Sequence, residues 1–330
     1  MMVFEWIAKI KASIILAAIV MVICVSFAGV TAAGAQTSLP GKKMEGRIRV
    51  SGAWALYPMM VTWAEEFKKI HPGVRIDISA GGAGKGVTDA LSGLVDIGMV
   101  SRDLRPEELK QKAFYVPVVK DAVFPTINAA NPAMKELMEK GLRKKDFINL
   151  WLSGRSMTWR DVARTDNHRQ IRVYTRSDSC GAAETWAKYL GAYQEDLKGI
   201  AVYGDPGIAE AIRKDKNGIG YNNLNYAYDM KTGLPVPGIR MVPIDVNGNG
   251  RIDPGEKLDT KHDAIKAVQS GVYPSPPARD LYLVSKGVFQ GTTKEFVKWI
   301  LSDGQRYVEE VGYLKINASQ LKNAALKMGQ

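Results

Sequence analysis

One turn of the chain brings an arginine, an aspartate and a cysteine together directly before a helical pattern: TRSDSCGAAE at 175–184. Two other stretches combine small residues and a following helical pattern in the same way, namely SGAWALYP at 51–58 and SAGGAGKGV at 79–87. A helix that begins in such a turn presents backbone N–H groups and the positive end of its dipole, which attract anions. One turn of this kind indicates little. Three of them, with Lys85, Arg102 and Arg176 nearby, predict a site for a small anion.

The glycine-rich stretch at 79–87 does not fit a nucleotide-binding loop. A P-loop requires a glycine, four residues, and then Gly-Lys followed by Ser or Thr. Ser79 stands where the first glycine belongs, and Gly86 follows Lys85. The stretch also lacks the G-x-G-x-x-G spacing. Its glycines suit a plain tight turn equally well.

Cys180 lies at an expected helix start and near Arg176, and both features lower the pKa of a thiol. The sequence therefore allows two interpretations: a thiol or thiolate that contacts the ligand, or a small residue that fits a tight turn. A catalytic cysteine would need a histidine base. His71, His168 and His262 fall in a helix end, a polar loop and a surface helix, so we expect no enzymatic activity.

These turns must be positioned by alternating strands and helices. GRIRVSGA, VRIDISA and VDIGMVS predict strands, and helical patterns separate them. This alternation predicts right-handed βαβ units and a parallel sheet. A second, similar-sized set of such units follows, which predicts an α/β protein with two lobes and a ligand between them.

The N-terminal segment predicts export. Lys9 and Lys11 precede an apolar run that ends before Ala33-Gly34-Ala35. This arrangement is typical of a cleaved signal peptide over residues 1–35. An uncleaved membrane anchor is the alternative, since the run is nearly long enough to span a bilayer. We therefore expect a periplasmic or other extracytoplasmic protein, membrane-anchored if the segment is retained.

The net charge of +11 at pH 7 first suggests a nucleic-acid partner. The charges are scattered, however, and no long Lys/Arg block occurs in the sequence. A modestly cationic surface that attracts small anions fits this distribution better. We expect no nucleic-acid partner.

Several motifs occur in a familiar order: RIRVSGAWALYP, SAGGAGKG, VDIGMVSRD, FINLWLSG, RSDSCGAAETW, GIGYNN and YPSPPARDLYLVSKG. From about Arg47 to Leu314 the chain resembles the periplasmic phosphate-binding proteins of ABC transporters. That family has a G-S-x-T turn, a G-G-S-G turn, a D-I-x-x-x-S-R segment and an R-S-D-x-S-G-T turn at the corresponding points.

The resemblance implies a type II periplasmic binding protein fold, which is α/β and two-lobed with a ligand cleft between the lobes. We place the first lobe at 36–125 and 280–330 and the second at 126–279. It implies a monomer without a catalytic cofactor that captures a small oxyanion, phosphate before others, for a membrane ABC permease. The alternatives are a binding protein for another small anion, a sensor or adhesion protein of the same fold, and a thiol-dependent enzyme.

The ligand-binding residues follow from the turns and the resemblance: Ala53, Trp54, Ala55, Ala83, Gly84, Lys85, Ser101, Arg102, Arg176, Asp178, Cys180, Gly181 and Ala182. Four alanines stand where the family has hydroxyl groups: Ala53, Ala55, Ala83 and Ala182. Each missing donor would cost about 1–3 kcal/mol if nothing replaced it. Lys85, the Trp54 indole and Cys180 are the candidate replacements. Asp178 is a candidate acceptor for a proton on the oxyanion.

The stretch DVNGNGRIDPGE at 245–256 fits the calcium-loop pattern D-x-[DN]-x-[DN]-G-x₅-E. Such a loop wraps one Ca²⁺ in side-chain oxygens and one main-chain carbonyl. The predicted ligands are Asp245, Asn247, Asn249, the carbonyl of Arg251, Asp253 and Glu256. The few charges predict weak binding and a structural role. A polar loop rich in Asn and Gly is the alternative.

Overall fold

The computed structural model describes residues 44–329 of the chain. The predicted signal peptide at 1–35 lies outside this range. Between residues 44 and 329, every helix is too short or too polar to cross a membrane.

The first part of the described chain alternates strands and helices as the sequence predicts. Small residues at 51–53 and 80–82 end two of the strands and allow a helix to begin at once. The elements are β1 (Glu45–Gly52), a 3₁₀ turn (Trp54–Leu56), α1 (Tyr57–Ile70), β2 (Gly73–Ala80), α2 (Ala83–Ser92), β3 (Ile97–Val100), α3 (Pro106–Lys110) and β4 (Ala113–Asn128).

The middle of the chain contains shorter elements. They are α4 (Met134–Lys140), α5 (Lys144–Leu152), α6 (Trp159–Ala163), β5 (Arg172–Arg176), α7 (Gly181–Leu190), a 3₁₀ turn (Gln194–Asp196), β6 (Ile200–Val202), α8 (Gly204–Lys214), β7 (Gly218–Asn223), α9 (Leu224–Ala227) and β8 (Ile239–Met241).

The last part returns to the first strands of the sheet. Its elements are a 3₁₀ turn (Pro254–Glu256), α10 (Lys261–Gln269), β9 (Ala278–Lys286), α11 (Gly291–Leu301), a 3₁₀ turn (Asp303–Arg306), α12 (Tyr307–Glu310) and α13 (Ala318–Lys327).

The strands of residues 44–329 form one sheet in the order β2-β1-β3-β9-β4-β7-β5-β6, and β8 pairs with β4. The prediction of a parallel sheet is right for β1, β2 and β3, and for β5, β6 and β7. It is wrong for the centre, where β9 runs antiparallel to β3 and β4, and β4 runs antiparallel to β7 and β8. The sheet is mixed because β9 brings the chain back from the second half in the opposite direction.

Two hydrophobic cores lie along this sheet. The first is built around Trp63, Phe67 and Phe296, and the second around Trp151 and Trp186. β4 crosses from one core to the other between Val119 and Ala122, and β9 crosses back between Ala278 and Leu281. The lobe boundaries at 125/126 and 279/280 stay a prediction, although Val123 and Phe124 already pack in the second core.

Candidate functional site

The structure brings the three small-residue turns together. The carbonyl of Gly52 accepts hydrogen bonds from the N–H groups of Gly81 (2.9 Å) and Gly82 (3.1 Å), which joins the first turn to the second. The N–H of Gly84 donates to the carbonyl of Ser179 at 3.1 Å, which joins the second turn to the third. The start of the 3₁₀ turn that leads into α1 and the starts of α2 and α7 are therefore neighbours.

Gly181 shows how closely these segments approach. A Cβ atom built on this first residue of α7 would lie 2.1 Å from the carbonyl oxygen of Ser101, the residue that follows β3. No real Cβ atom tolerates that distance to a backbone oxygen. Glycine is therefore required for α7, in the second core, to begin against the end of β3, in the first.

Most of the predicted small residues are buried where the turns meet: Ala53, Ala55, Ala83, Cys180, Gly181 and Ala182. Some of their amides already serve the fold, since the N–H of Ala53 donates to Met99 (2.8 Å) and that of Cys180 to the Gln194 side chain (3.2 Å). The first residues of a helix have no preceding turn to donate to. That leaves the helix-start amides of Trp54, Ala55, Ala83, Gly181 and Ala182 for a ligand.

Arg176 lies at the centre of a buried ionic network. Its guanidinium forms two parallel hydrogen bonds with Asp178, each of 2.7 Å, and a third bond of 2.6 Å with Asp205. The Arg176 side chain is fully buried, and desolvation disfavours its charge, but Asp205 and Asp178 more than offset this and raise the pKa of Arg176. The positive charge of Arg176 is thus already balanced by two carboxylates.

The other two predicted cations also have carboxylate partners. Arg102 is buried and bonds Glu108 at 2.6 Å and Glu184 at 3.2 Å. The half-exposed ammonium group of Lys85 pairs with Asp89 and not with the Arg176 network. The structure therefore does not gather the three cations into one free positive pocket.

The expectation of a lowered thiol pKa at Cys180 is wrong. The thiol is fully buried, and this burial raises its pKa to about 12, although Arg176 opposes the shift. Its sulfur caps α7 by accepting the N–H of Ala183 at 3.4 Å. Cys180 is therefore a neutral thiol at neutral pH and not a thiolate.

Besides Asp205, sequence reasoning missed two central residues, Asp121 and Arg279. They face each other on β4 and β9, with 3.5 Å between a carboxylate oxygen and a guanidinium nitrogen. Arg279 also donates to the Ser101 carbonyl (3.0 Å) and to the Asn223 side chain. The signal was available, because each is a charged residue inside an apolar strand: VVKDAVFP and PARDLYLV.

Two buried donors at this junction have no hydrogen-bond partner within the described residues: Trp54 Nε1 and Arg279 Nη1. The indole nitrogen of Trp54 lies 3.3 Å from the position of a Cβ atom built on Gly204. The N–H of Gly204 donates to Asp178, so this indole lies beside the Arg176 network. Buried polar groups are nearly always paired, so both donors are available to a bound molecule.

The charged side chains at the junction carry no net positive charge. Arg176 and Arg279 are offset by Asp178 and Asp205, and Asp121 adds a third carboxyl group. Burial raises the pKa of Asp121 to about 6, although Arg279 acts in the opposite direction. A bound anion would therefore be held by N–H dipoles more than by excess charge.

The predicted calcium loop lies between β8 and α10. Asp245 and Glu256 are buried, whereas Asn247 and Asn249 are exposed. Asp253 accepts hydrogen bonds from the side-chain amides of Asn247 (2.8 Å) and Asn249 (3.0 Å). The structure thus brings Asn247, Asn249 and Asp253 into contact, and the predicted calcium site stays a prediction.

The fold and the converging turns define a class, the two-lobed α/β binding proteins. A model of the PBP superfamily domain matches residues 30–304, and the chain belongs to that superfamily.

Three similar proteins share most of their length with this chain. The phosphate-binding protein PstS of Bacillus subtilis (strain 168) is 26% identical over 283 residues, covering 83% of this chain and 82% of the relative. The PstS of Staphylococcus haemolyticus (strain JCSC1435) is 24% identical over 282 residues, covering 83% and 82%. A candidate phosphate ABC transporter substrate-binding protein from Clostridium perfringens, solved with bound phosphate, has a TM-score of 0.67 at 23% identity and covers 82% of this chain and 100% of that one. This similarity confirms the predicted fold class.

Proposed function

We propose that this chain is an exported solute-binding protein that captures a small oxyanion, phosphate before others, for an ABC transporter. The observation that carries the proposal is the convergence of three helix starts, linked through the Gly52 and Ser179 carbonyls. The names of the similar proteins, two phosphate-binding proteins and a phosphate transporter component, support phosphate as the first candidate.

The ligand would be held mainly by neutral donors. Helix-start amides supply directional N–H groups and the favourable end of the helix dipole. The Trp54 indole and the free nitrogen of Arg279 add two donors that replace some of the hydroxyl groups lost to alanine. A buried oxyanion needs nearly all of its oxygens hydrogen-bonded.

We propose Asp178 as the residue that selects a protonated oxyanion. One of its oxygens accepts from Arg176 and Gly204, and the other accepts from Arg176 alone. That second oxygen lies 2.9 Å from a Cβ atom built on Gly82, so it faces the second turn. A ligand O–H can donate to it, whereas a fully ionised anion would meet only repulsion. Phosphate carries such a proton at neutral pH and sulfate does not.

The rest of the proposal follows from the superfamily. Its members named above are binding proteins, in line with the expectation that the chain is not an enzyme. We propose an extracytoplasmic monomer that passes its ligand to a membrane permease.

Phosphate binding is tested by calorimetry on the mature chain with phosphate, arsenate and sulfate at pH 7.5. We expect phosphate and arsenate to bind and sulfate to bind at least 100-fold more weakly. Trp54→Phe keeps the ring and removes the indole N–H, and it should weaken phosphate binding about 5- to 100-fold, the usual cost of one lost buried donor.

Trp299→Phe is the matched control, because Trp299 Nε1 is also buried without a hydrogen-bond partner but belongs to the first core, next to Phe296. It should leave phosphate affinity unchanged. Equal losses in both variants would contradict the assignment of Trp54. The absence of heat with every oxyanion would overturn the proposed function.

The alternative ligand is an oxyanion other than phosphate, and the four alanines at 53, 55, 83 and 182 favour it. A site with fewer hydroxyl donors satisfies fewer oxygens of a phosphate. Tighter binding of another oxyanion in a thermal-shift panel would replace phosphate and keep the site.

A further inference from the structure

We propose that the loop at residues 245–256, here called the aspartate loop, binds one Ca²⁺ ion. The loop begins at Asp245, after β8, and ends at Glu256 in the last 3₁₀ turn before α10. Ca²⁺ would bind this loop independently of the oxyanion, and the bound ion would stabilise the second core.

The first observation is an unpaired buried oxygen of Asp245. The residue is only 3% exposed, and its Oδ1 has no hydrogen-bond partner within the described residues. Its other oxygen accepts the N–H of Gly250 at 2.9 Å, from the middle of the loop. The carboxylate therefore faces the interior of the loop. A buried, unpaired carboxylate oxygen is costly unless a cation compensates it.

The second observation is the arrangement of the remaining oxygens. The side-chain oxygens of Asn247 and Asn249 each accept the N–H two residues later, which holds both side chains against the loop backbone. Gly250 has φ +82°, a conformation that favours glycine and that allows the sharp turn in mid-loop. Asp253 draws both asparagine side chains toward one point.

Glu256 closes the loop. Its two carboxylate oxygens accept the N–H groups of Val246 (2.9 Å) and Asp253 (3.0 Å), so it ties the end of the loop to the beginning. Each of these oxygens keeps a lone pair for a metal ion. Glutamate at this last position is the bidentate ligand of calcium loops.

The chemistry of these donors selects the metal. They are all oxygens, carboxylate, amide and main-chain carbonyl, which suit Ca²⁺ with six to eight ligands at about 2.3–2.6 Å. Softer metals prefer imidazole and thiolate ligands. No group of three or more His, Cys, Asp or Glu side chains suited to a metal occurs in residues 44–329. The site therefore depends on amide and carbonyl oxygens as much as on charge.

Two arginines weaken the site. Arg251 pairs with Asp253 at 3.4 Å, and Arg164 Nη1 lies 3.6 Å from a Cβ atom built on Gly250. Three carboxylates opposed by two guanidinium groups give a modest net negative charge. We therefore expect a dissociation constant of about 0.1–1 mM, typical of extracellular calcium modules.

The bound ion would stabilise the packing of this loop against the second core. Next to the loop, the N–H of Ile252 donates to the Glu139 carbonyl (2.9 Å) and that of Asp245 to Leu142 (3.0 Å), so the loop is fastened to α4 and the segment after it. Binding to the folded state alone stabilises it by mass action. At tenfold excess over the dissociation constant, we expect the melting temperature to rise by about 2–4 °C.

The experiment is equilibrium dialysis of the metal-stripped mature chain against Ca²⁺ up to about 10 mM, without phosphate, with thermal melting in parallel. We expect one bound Ca²⁺ per chain and a weaker response to Mg²⁺, which demands a tighter octahedral site. Asp245→Asn keeps an acceptor for Gly250 and removes the charge. It should weaken Ca²⁺ binding at least tenfold.

Asp229→Asn is the matched control. Asp229 also accepts loop amides, from Lys231 (3.0 Å) and Thr232 (2.8 Å), and it is a residue of the same half of the chain. It should keep full Ca²⁺ binding. If Asp245→Asn does not fold, Asn247→Ala, at an exposed ligand position, should still lower the affinity. No Ca²⁺ bound by the wild type, or equal binding by the wild type, Asp245→Asn and Asn247→Ala, would overturn the proposal.

Discussion

The anion site and the aspartate loop place opposite kinds of groups around their ligands. At the anion site the charged side chains are buried and already paired, and N–H groups are left over. In the aspartate loop the asparagines are exposed, and a carboxylate oxygen is left over. A buried site must balance its own charges before a ligand arrives, because unpaired buried charges are too costly. The aspartate loop instead leaves one buried carboxylate oxygen unpaired, which a bound cation would compensate.

The largest effect that separates the two regions is expected from Arg176→Met. The substitution leaves the carboxylates of Asp178 and Asp205 buried without their cation, which typically costs about 3–5 kcal/mol of folding free energy. Arg213→Met, in α8, is the control. Arg213 and its partner Glu210 are both nearly half exposed, so this loss should be about 1 kcal/mol or less.

Urea unfolding at pH 7.5 measures both variants. Similar losses in the two would show that the buried network does not hold more stability than a surface pair, and the contrast drawn above would disappear.

The difference between the regions also explains what the sequence reveals. The aspartate loop is contiguous, so its candidate metal ligands can be identified from twelve successive residues, 245–256. The anion site is assembled from distant segments. The turns could be predicted because glycine, alanine and a following helical pattern are local signals.

The pairing of the charges could not be predicted. Arg176 meets Asp205 only because α8 begins beside β5, and Arg279 meets Asp121 only because β9 runs antiparallel to β4. The same central antiparallel pairing escaped the prediction of a parallel sheet. The pKa of Cys180 was mispredicted for a related reason. Burial is a property of the packed fold and does not follow from the residues that are neighbours in sequence.

A smaller, pH-dependent effect is expected at Asp121. Burial raises the pKa of Asp121 from 3.8 to about 6 in the folded protein. Between these values the folded state keeps a proton that the unfolded state has lost. Asp121 therefore contributes stability at low pH that is lost as the pH rises through about 6, up to roughly 3 kcal/mol.

Asp121→Asn removes this titration. The free energy of unfolding of the variant, relative to the wild type, should rise between pH 4 and pH 7 in a series of urea unfolding curves. The attraction to Arg279 acts only on the ionised carboxylate, so it is already included in the folded-state pKa and in this slope. Parallel pH profiles for the two proteins would show that the pKa of Asp121 is not raised in the folded protein.

The smallest expected effect is the coupling between the two sites. The contacts described for the anion site involve the starts of α1, α2 and α7, whereas those of the aspartate loop involve α4 and its own backbone. Sites without shared partners normally act additively within about 0.5 kcal/mol. The rise in melting temperature with phosphate and Ca²⁺ together should therefore equal the sum of the separate rises.

The measurement uses concentrations below those at which calcium phosphate precipitates, with Asp245→Asn as the control that responds to phosphate alone. A combined shift that clearly exceeds the sum would mean that each ligand favours the binding of the other, because such coupling is reciprocal. The aspartate loop would then sense the state of the anion site, and the two regions would be parts of one switch. We expect additivity, because the balanced charges of the anion site give Ca²⁺ no unpaired charge on which to act.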